Sequence, residues 1–414
     1  GLDFHLKESK TKEAKLARQQ TLRSKLVVID ECSMISHMHL KAIVNVLQKP
    51  QKGSRLLLLV GDFLQLQPVG AAMLCDNPTS LDPTALSEHH SMAHDGYELF
   101  RNATRCTLSL DPEFSRYNDE KQRAAIASIL QDPISIKRVA KEYTVLTKRE
   151  SDTTWSTARV VTKTNVARCR FNRILARNFA KNNNTVVCRF MHKTTVLSNW
   201  TLDKLEQKLP TAVGYFVKGA PGIVNTNIAP QCGIANGSDC TFVDIVYQNT
   251  DARNAFIAAV DGAQPGDVVD VPTPDAIVVN IECNGESFDV VLDRSVASHD
   301  AAKRGRMVLP HAFKAIPCDL AFSYTFHKAQ GRSMLQLIID LGSVFDGNAV
   351  HKGSIGFSEL YVGISRARTF DGVRLLLPIE LLKRLKITGV EEARQKANQS
   401  SSSNLPRKRR GKKK

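Results

Sequence analysis

The chain has 414 residues, 42% hydrophobic and 24% charged, a globular profile that excludes wholesale disorder and, at roughly 150 residues per domain, suggests about three domains. No apolar run approaches the roughly 20 residues that a membrane-spanning helix needs, and Gly1-Leu-Asp-Phe-His-Leu-Lys carries neither the apolar core nor the cleavage site of a secretory signal, so no membrane partner is expected. The net charge is +16, and subtracting the seven basic residues between Arg407 and Lys414 still leaves +9 for the body, which favours a polyanion, nucleic acid before membrane, as partner.

Residues 1–25 are Lys-rich and read as a basic arm, helical or exposed. Leu26-Val-Val-Ile-Asp30 follows, a β-branched run ending in acid, as expected of a strand buried on both faces of a parallel sheet. Met34, Ile35, Met38, Ala42, Ile43, Val46 and Leu47 then recur at helical spacing, and Pro50 with Gly53 ends the pattern. Arg55-Leu-Leu-Leu-Leu-Val60 is a second buried strand, making residues 26–60 one β-α-β unit. A right-handed crossover brings Asp30-Glu31 and Gly61-Asp62 side by side at the carboxyl edge, where open α/β sheets bind ligands.

A second α/β domain begins further on. Residues 120–142 read as helical, Ala158–Thr162 as a strand, and Asn165–Ala180 as a helix with Val166, Ile174, Leu175 and Phe179 inward. Over 212–320 Gly, Pro, Val and Asp rise, and runs such as Asp239–Tyr247 and Ala276–Leu292 mark a small β-rich module. From Ala321 the α/β pattern resumes, with strands at Leu335–Asp340 and Val373–Leu377 and a helix at Ser358–Arg366, so the module is inserted in the second domain. Residues 392–414 have nothing to pack and read as a disordered basic tail. The expected division is a partial first domain over 26–105, a second domain split between 106–211 and 321–391, and the insertion between them. Nine scattered cysteines without a C-x-x-C pair read as reduced thiols of a nuclear or cytosolic protein, neither a zinc site nor a disulfide frame.

Adjacent acids at a strand end suit phosphoryl transfer, which needs one carboxylate to hold Mg²⁺ and a second to orient or deprotonate water. A solvated strand end is the plainer account of Asp30-Glu31 taken alone. Gly61-Asp-Phe-Leu-Gln65-Leu-Gln-Pro68 strengthens the catalytic reading, because a Gln in that neighbouring loop can reach a γ-phosphate.

Val27-Val-Ile-Asp-Glu-Cys-Ser-Met-Ile35 followed by Gly61-Asp-Phe-Leu-Gln-Leu-Gln-Pro-Val69 resembles motifs II and III of superfamily 1 DNA helicases, specifically the petite integration frequency family and its RecD-like relatives. Val217-Lys-Gly-Ala-Pro-Gly, Asn227 and Ile234-Ala-Asn-Gly237 are similar to the segment opening that family's SH3-like insertion. Phe322-Ser-Tyr-Thr-Phe-His-Lys-Ala-Gln-Gly331 resembles motif V, and Leu360-Tyr-Val-Gly-Ile-Ser-Arg-Ala-Arg368 resembles motif VI. The matches fall in the family's order across residues 26–370.

The resemblance implies an α/β fold of two RecA-like parallel-sheet domains, the first incomplete, with a β-rich SH3-like insertion in the second. It implies ATP as substrate with Mg²⁺, single-stranded or forked DNA as partner, a monomer, and a nuclear location with the mitochondrion as alternative. On matching residues it implies that Asp30 binds Mg²⁺, Glu31 is the catalytic base, Gln65 contacts the γ-phosphate and Arg366 is an arginine finger. Gly61, Asp62, Gln330 and Gly331 join Gln65 and Arg366 around the nucleotide, and Arg116 is either the motif IV arginine or a surface ion-pair partner. Thr325, His327 and Lys328 line the DNA path, Lys328 suiting a backbone phosphate. Phe63 and Trp155 are base-stacking or core residues, and Thr162-Lys-Thr-Asn165 with Asn172 reads as a strand end and helix cap.

One part is missing. These motors cradle phosphates in G-x-x-x-x-G-K-[ST], whereas the only Gly-Lys pair is Gly411-Lys412 in the tail, followed by Lys413. Gly1-Leu-Asp-Phe resembles the stretch just after motif Ia, so the expectation is an N-terminally truncated helicase that alone binds ATP poorly and fails to unwind, with an inactive nucleic-acid-binding remnant as alternative. The Pro406–Lys414 run suits nuclear import, DNA tethering or solubility.

Overall fold

The computed structural model describes residues 24–47, 56–77, 88–104, 108, 117–192, 201–283, 285–293, 298–299, 313–342, 344–345, 348–349 and 355–377. Among them no helix is long and apolar enough to cross a membrane. The basic arm up to residue 23, the tail and Arg116 lie outside this set.

In the first lobe, the strands Leu26–Ile29 and Leu56–Leu59 pair in parallel, in register from Leu26 opposite Leu56 to Ile29 opposite Leu59. Ile29, Leu57 and Leu59 pack with Leu40, Leu74 and Phe100, but Val28 is 51% and Leu56 66% exposed. The expectation of strands buried on both faces is therefore corrected: alternate side chains point to opposite faces, and only one face is covered. The helix also starts later than its periodicity predicts. Cys32–Met34 forms a 3₁₀ turn, Ser36 Oγ accepts from the His39 amide at 3.3 Å, and the helix runs His37–Leu47 with His37 and Leu40, not Met34 and Ile35, as its buried anchors. This helix lies against Glu88–Ala103 at a point where only glycine fits: a Cβ on Gly96 would stand 2.1 Å from the His37 carbonyl oxygen.

The second lobe is built on a four-stranded parallel sheet in the order Ser323–Thr325, Arg159–Thr162, Leu337–Ile339, Val373–Leu375. Its apolar residues Val161, Leu337, Ile339 and Val373 are fully buried under the helices Glu120–Gln131 and Phe357–Ile364. The helical stretch expected over 120–142 breaks at Asp132-Pro133, since proline's ring cannot continue a helix, and Asp132 caps the next turn by accepting from Ile134 N at 3.0 Å. Helix Asn165–Asn182 presents Ala167, Phe171, Ala176 and Ala180 inward. Val166 and Ile174 are exposed, a correction to their expected inward placement: small residues let this helix lie close to the sheet.

The β-rich module holds a five-stranded sheet in the order Glu286–Asp293, Ala276–Cys283, Asp239–Val246, Pro221–Val224, Cys318–Leu320, antiparallel throughout. A three-stranded sheet joins Val187–Met191 to Val213–Phe216 and Val268–Asp270. Phe190, Phe216, Phe242 and Ile277 close one core between the two sheets. The helix Thr250–Asp261, capped by Asn249, is an element that the β-rich composition did not announce.

Candidate active site

The site is assembled from both lobes. The parallel strands of the first lobe end in line: Val60 N donates to Ile29 O at 2.8 Å, and Cys32 N to Val60 O at 2.9 Å. This close approach requires Gly61, because a Cβ there would stand 2.8 Å from Cys32 Sγ and 2.9 Å from Cys32 N. Asp30 and Glu31 thus emerge beside Gly61 and Asp62, as the crossover argument expects.

Glu31 adopts left-handed backbone geometry, φ 51° and ψ 43°, which costs a side chain with a Cβ about 1–2 kcal/mol. The strain is over-determined by its surroundings. Its amide donates to Asp30 Oδ1 at 2.8 Å, its carbonyl accepts from Met34 N at 3.0 Å, and its carboxylate Oε2 accepts from Gln330 Nε2 of the second lobe at 2.7 Å. Gly331, at φ +78°, turns the chain so that its backbone lies against the same carboxylate, leaving 3.6 Å between its Cβ position and Glu31 Oε1. Among the described residues Gln330 Oε1 is buried and accepts no hydrogen bond, which leaves an acceptor beside Glu31.

Asp62 serves the protein itself. Its Oδ1 accepts from Leu64 N at 2.9 Å, and its Oδ2 accepts from Gln65 Nε2 at 3.3 Å and from the Tyr361 hydroxyl at 2.9 Å. It shapes the motif III loop and clamps it to the second lobe. Tyr361 is a cleft residue that sequence reasoning missed; it lies within the motif VI match, but nothing in its spacing marks its partner 299 positions away. Burial, with Asp62 beside it, pushes the Tyr361 phenol upward, keeping it a proton donor to that carboxylate. Leu66, from the same loop, is buried in the second lobe's core.

Arg366 is 2% exposed. Its guanidinium donates to Val362 O at 3.1 Å, Ser365 Oγ at 2.8 Å, Arg332 O at 3.5 Å and, across the cleft, Gln65 Oε1 at 3.5 Å. Glu31, Gln65, Gln330 and Arg366 therefore meet at one boundary between lobes, which is what a finger-type arginine requires. Among the described residues no cluster of three or more His, Cys, Asp or Glu forms a metal cage. Mg²⁺ at a phosphoryl-transfer site needs no such cage: one or two carboxylates, water and substrate phosphates complete its octahedron, and the exposed strand-end carboxylate of Asp30 fits that role.

The motif V helix Phe326–Ala329 leads into Gln330 at the cleft. Thr325 is buried, and its hydroxyl caps this helix by accepting from Lys328 N at 3.4 Å. His327 is exposed, whereas Lys328 is half-buried and donates to Asn225 Oδ1 of the module. Nearby, Arg168 donates to Asp319 Oδ2 at 3.0 Å. Burial raises the Asp319 carboxyl, but Arg168, Lys328 and His192 outweigh it and hold it down at about 2. Burial lowers the Lys328 ammonium, against the pull of Asp319. Asn172 donates to Leu320 O and accepts from Ser323 N, both at 2.8 Å, and Thr164 caps its helix, so the Thr162–Asn172 segment is structural as expected. Phe63 packs edge-on against Phe100, and Trp155 is buried beneath the Arg374 guanidinium, so both are core residues.

Comparison with known proteins agrees with this geometry. A model of the AAA domain matches residues 2–71, which contain the Asp30–Glu31 and Gly61–Gln65 segments. No curated protein matches the chain. Among solved structures, the Bacteroides Pif1 helicase in complex with ADP-AlF3 and single-stranded DNA superposes with a TM-score of 0.52 at 16% identity, over 93% of this chain and 78% of that one. Bacteroides Pif1 bound to single-stranded DNA gives 0.51 at 16% identity, with the same coverage. The chain shares the fold of these two Pif1 structures: RecA-like parallel-sheet lobes with a β-rich insertion in the second.

Proposed function

We propose that this chain, with its Pif1-type fold, is the hydrolytic and DNA-gripping part of an ATP-dependent DNA helicase. The observation that carries the reading is the convergence on one cleft of Glu31 and Gln65 from one lobe with Gln330 and Arg366 from the other. Glu31 takes the proton of the attacking water, Gln65 orients that water against the γ-phosphate, and Arg366 meets the charge that develops as the bond to the leaving phosphate breaks. Asp30 would hold Mg²⁺, which would supply charge neutralisation at the phosphates. An arginine delivered by the opposing lobe makes hydrolysis depend on closure, so each turnover moves one lobe against the other.

DNA enters this reading from three sides. The chain carries a net charge of +16, its fold is shared with helicases solved on single-stranded DNA, and His327 is exposed beside Lys328 on the motif V helix. The family resemblance supports 5′ to 3′ translocation by a monomer on single-stranded or forked DNA, in repair, recombination or telomere maintenance. The basic run Pro406–Lys414 supports a nuclear location.

A second reading, a nucleic-acid-binding protein without hydrolysis, is favoured by one fact: no G-x-x-x-x-G-K-[ST] occurs in the 414 residues. One experiment separates the two. ATP hydrolysis with and without single-stranded DNA is measured on the protein as its cells make it, beside its Glu31→Gln variant. DNA-stimulated hydrolysis that Glu31→Gln abolishes supports the motor; salt-sensitive DNA binding with no hydrolysis supports the second reading.

A further inference from the structure

The five residues that follow the motif V helix face two ways. Toward the cleft, Gln330 donates to Glu31, Gly331 lies against the same carboxylate, and the Arg332 carbonyl accepts from Arg366. Met334 N donates to Arg366 O at 2.9 Å, fixing the loop to the backbone that bears the finger. Toward the module, the Arg332 side chain leaves the loop and forks onto Asp239, its NH1 donating to Oδ1 at 2.8 Å and Oδ2 at 3.0 Å. Its NH2 donates to the Gly237 carbonyl. The guanidinium lies over the Tyr324 ring, 5.0 Å from its centroid, and the Tyr324 hydroxyl closes the ring of contacts by donating to Asp239 Oδ1 at 3.1 Å.

Two features make this a built joint and not a loose surface pair. Gly237 sits at φ +101°, a conformation that side chains with a Cβ rarely adopt, and this aims its carbonyl at Arg332. Its turn is fixed from the other side, where Gly237 N donates to Val224 O at 2.8 Å and Asn236 N to Asn227 Oδ1 at 2.9 Å. Arginine suits this position because its planar fork meets a carboxylate and a carbonyl while stacking on a ring, which a lysine cannot do.

We propose that Arg332 is a positioning residue that ties the Asn225–Asp239 edge of the β-rich module to Gln330 and Arg366, so that single-stranded DNA meeting the motif V helix, whose Lys328 donates to Asn225 on that edge, sets how well the cleft is assembled. The proposal rests on the function proposed above for its readout in hydrolysis, but not for the tie itself. The path is short and physical: module turn, Arg332 side chain, Arg332 backbone, finger.

The test is a cycle of Arg332→Ala, Asp239→Asn, their double variant and Arg332→Lys, read as the kcat and KM of ATP hydrolysis with and without single-stranded DNA, with amide exchange of residues 329–334 and 364–367 measured without nucleotide. Each single variant is expected to lower DNA-stimulated kcat on the order of tenfold with little change in KM for ATP. The double variant is expected to be no worse than either single one, Arg332→Lys to be intermediate, and exchange in both segments to quicken. Additive losses, or lowered thermal stability with DNA stimulation intact, would overturn the proposal. If the wild-type protein shows no DNA-stimulated hydrolysis, the functional reading fails and exchange decides the tie: quickening at 329–334 in Asp239→Asn sustains it, and unchanged exchange overturns it.

Discussion

The two lobes carry sheets of the same kind and differ in how they are supported. In the second lobe Val161, Leu337 and Ile339 are fully buried on strands covered by helices, and the catalytic candidates there, Gln330 and Arg366, sit on loops at the ends of that rigid layer. In the first lobe the described sheet has two strands, and Leu26, Val28, Leu56 and Leu58 are all about half exposed or more. Its catalytic candidates are steadied from across the cleft: Glu31 by Gln330, Gln65 by Arg366, Asp62 by Tyr361, and the loop as a whole by Leu66 in the opposite core. The asymmetry teaches that the site's geometry belongs to the interface between lobes and not to either sheet.

The largest effect that sharpens this comparison is chemical. Arg366→Ala is expected to lower DNA-stimulated hydrolysis about 10³-fold, the scale on which finger arginines act, and to cost about 2 kcal/mol in unfolding because a buried guanidinium leaves its acceptors unpaired; rapid-quench assays and calorimetry check the two halves. Leu337→Ala, in the rigid layer, is expected to cost about 3 kcal/mol in denaturant unfolding, whereas Val28→Ala in the half-covered sheet costs less than about 0.5 kcal/mol. Equal costs would erase the contrast.

Asp319→Asn strips a counter-charge from buried Arg168 and is expected to cost roughly 3 kcal/mol. The carboxyl is lowered to about 2 in the fold, against nearly 4 in the unfolded chain, so its stabilisation is present above about pH 4 and is lost as pH falls through about 2. Wild-type unfolding measured between pH 5 and pH 2 should fall more steeply than that of Asp319→Asn. The smallest effect is Tyr361→Phe, which removes one hydrogen bond to Asp62 and is expected to cost about 1 kcal/mol. If the clamp matters for closure, KM for ATP rises in the same variant.

Much of this was legible in the residues. The β-α-β pattern placed Asp30-Glu31 beside the Gly61–Gln65 loop, and the α/β pattern on either side of the module gave the second lobe, whereas Gln330-Gly331 and Arg366 were assigned to the cleft through the motif resemblance. The module's β-formers were legible as local pattern too. Long-range pairs were not: Tyr361 with Asp62 and Arg332 with Asp239 join positions whose partnership leaves no local period. The buried face of His37–Leu47 was misjudged because Cys32–Met34 takes a tight turn first, so the register slips. The exposed sheet face was misjudged because composition tells that a strand is apolar, not what covers it.

The most direct test of a site shared between lobes is a double-mutant cycle on the contact that spans it, Gln330 to Glu31. Amide exchange of residues 29–34 is measured without nucleotide for the wild type, Glu31→Ala, Gln330→Ala and the double variant. If the lobes build one site, Gln330→Ala quickens exchange in the wild type but does not quicken it further in Glu31→Ala. Fully additive effects would contradict the account and place the two residues in separate roles.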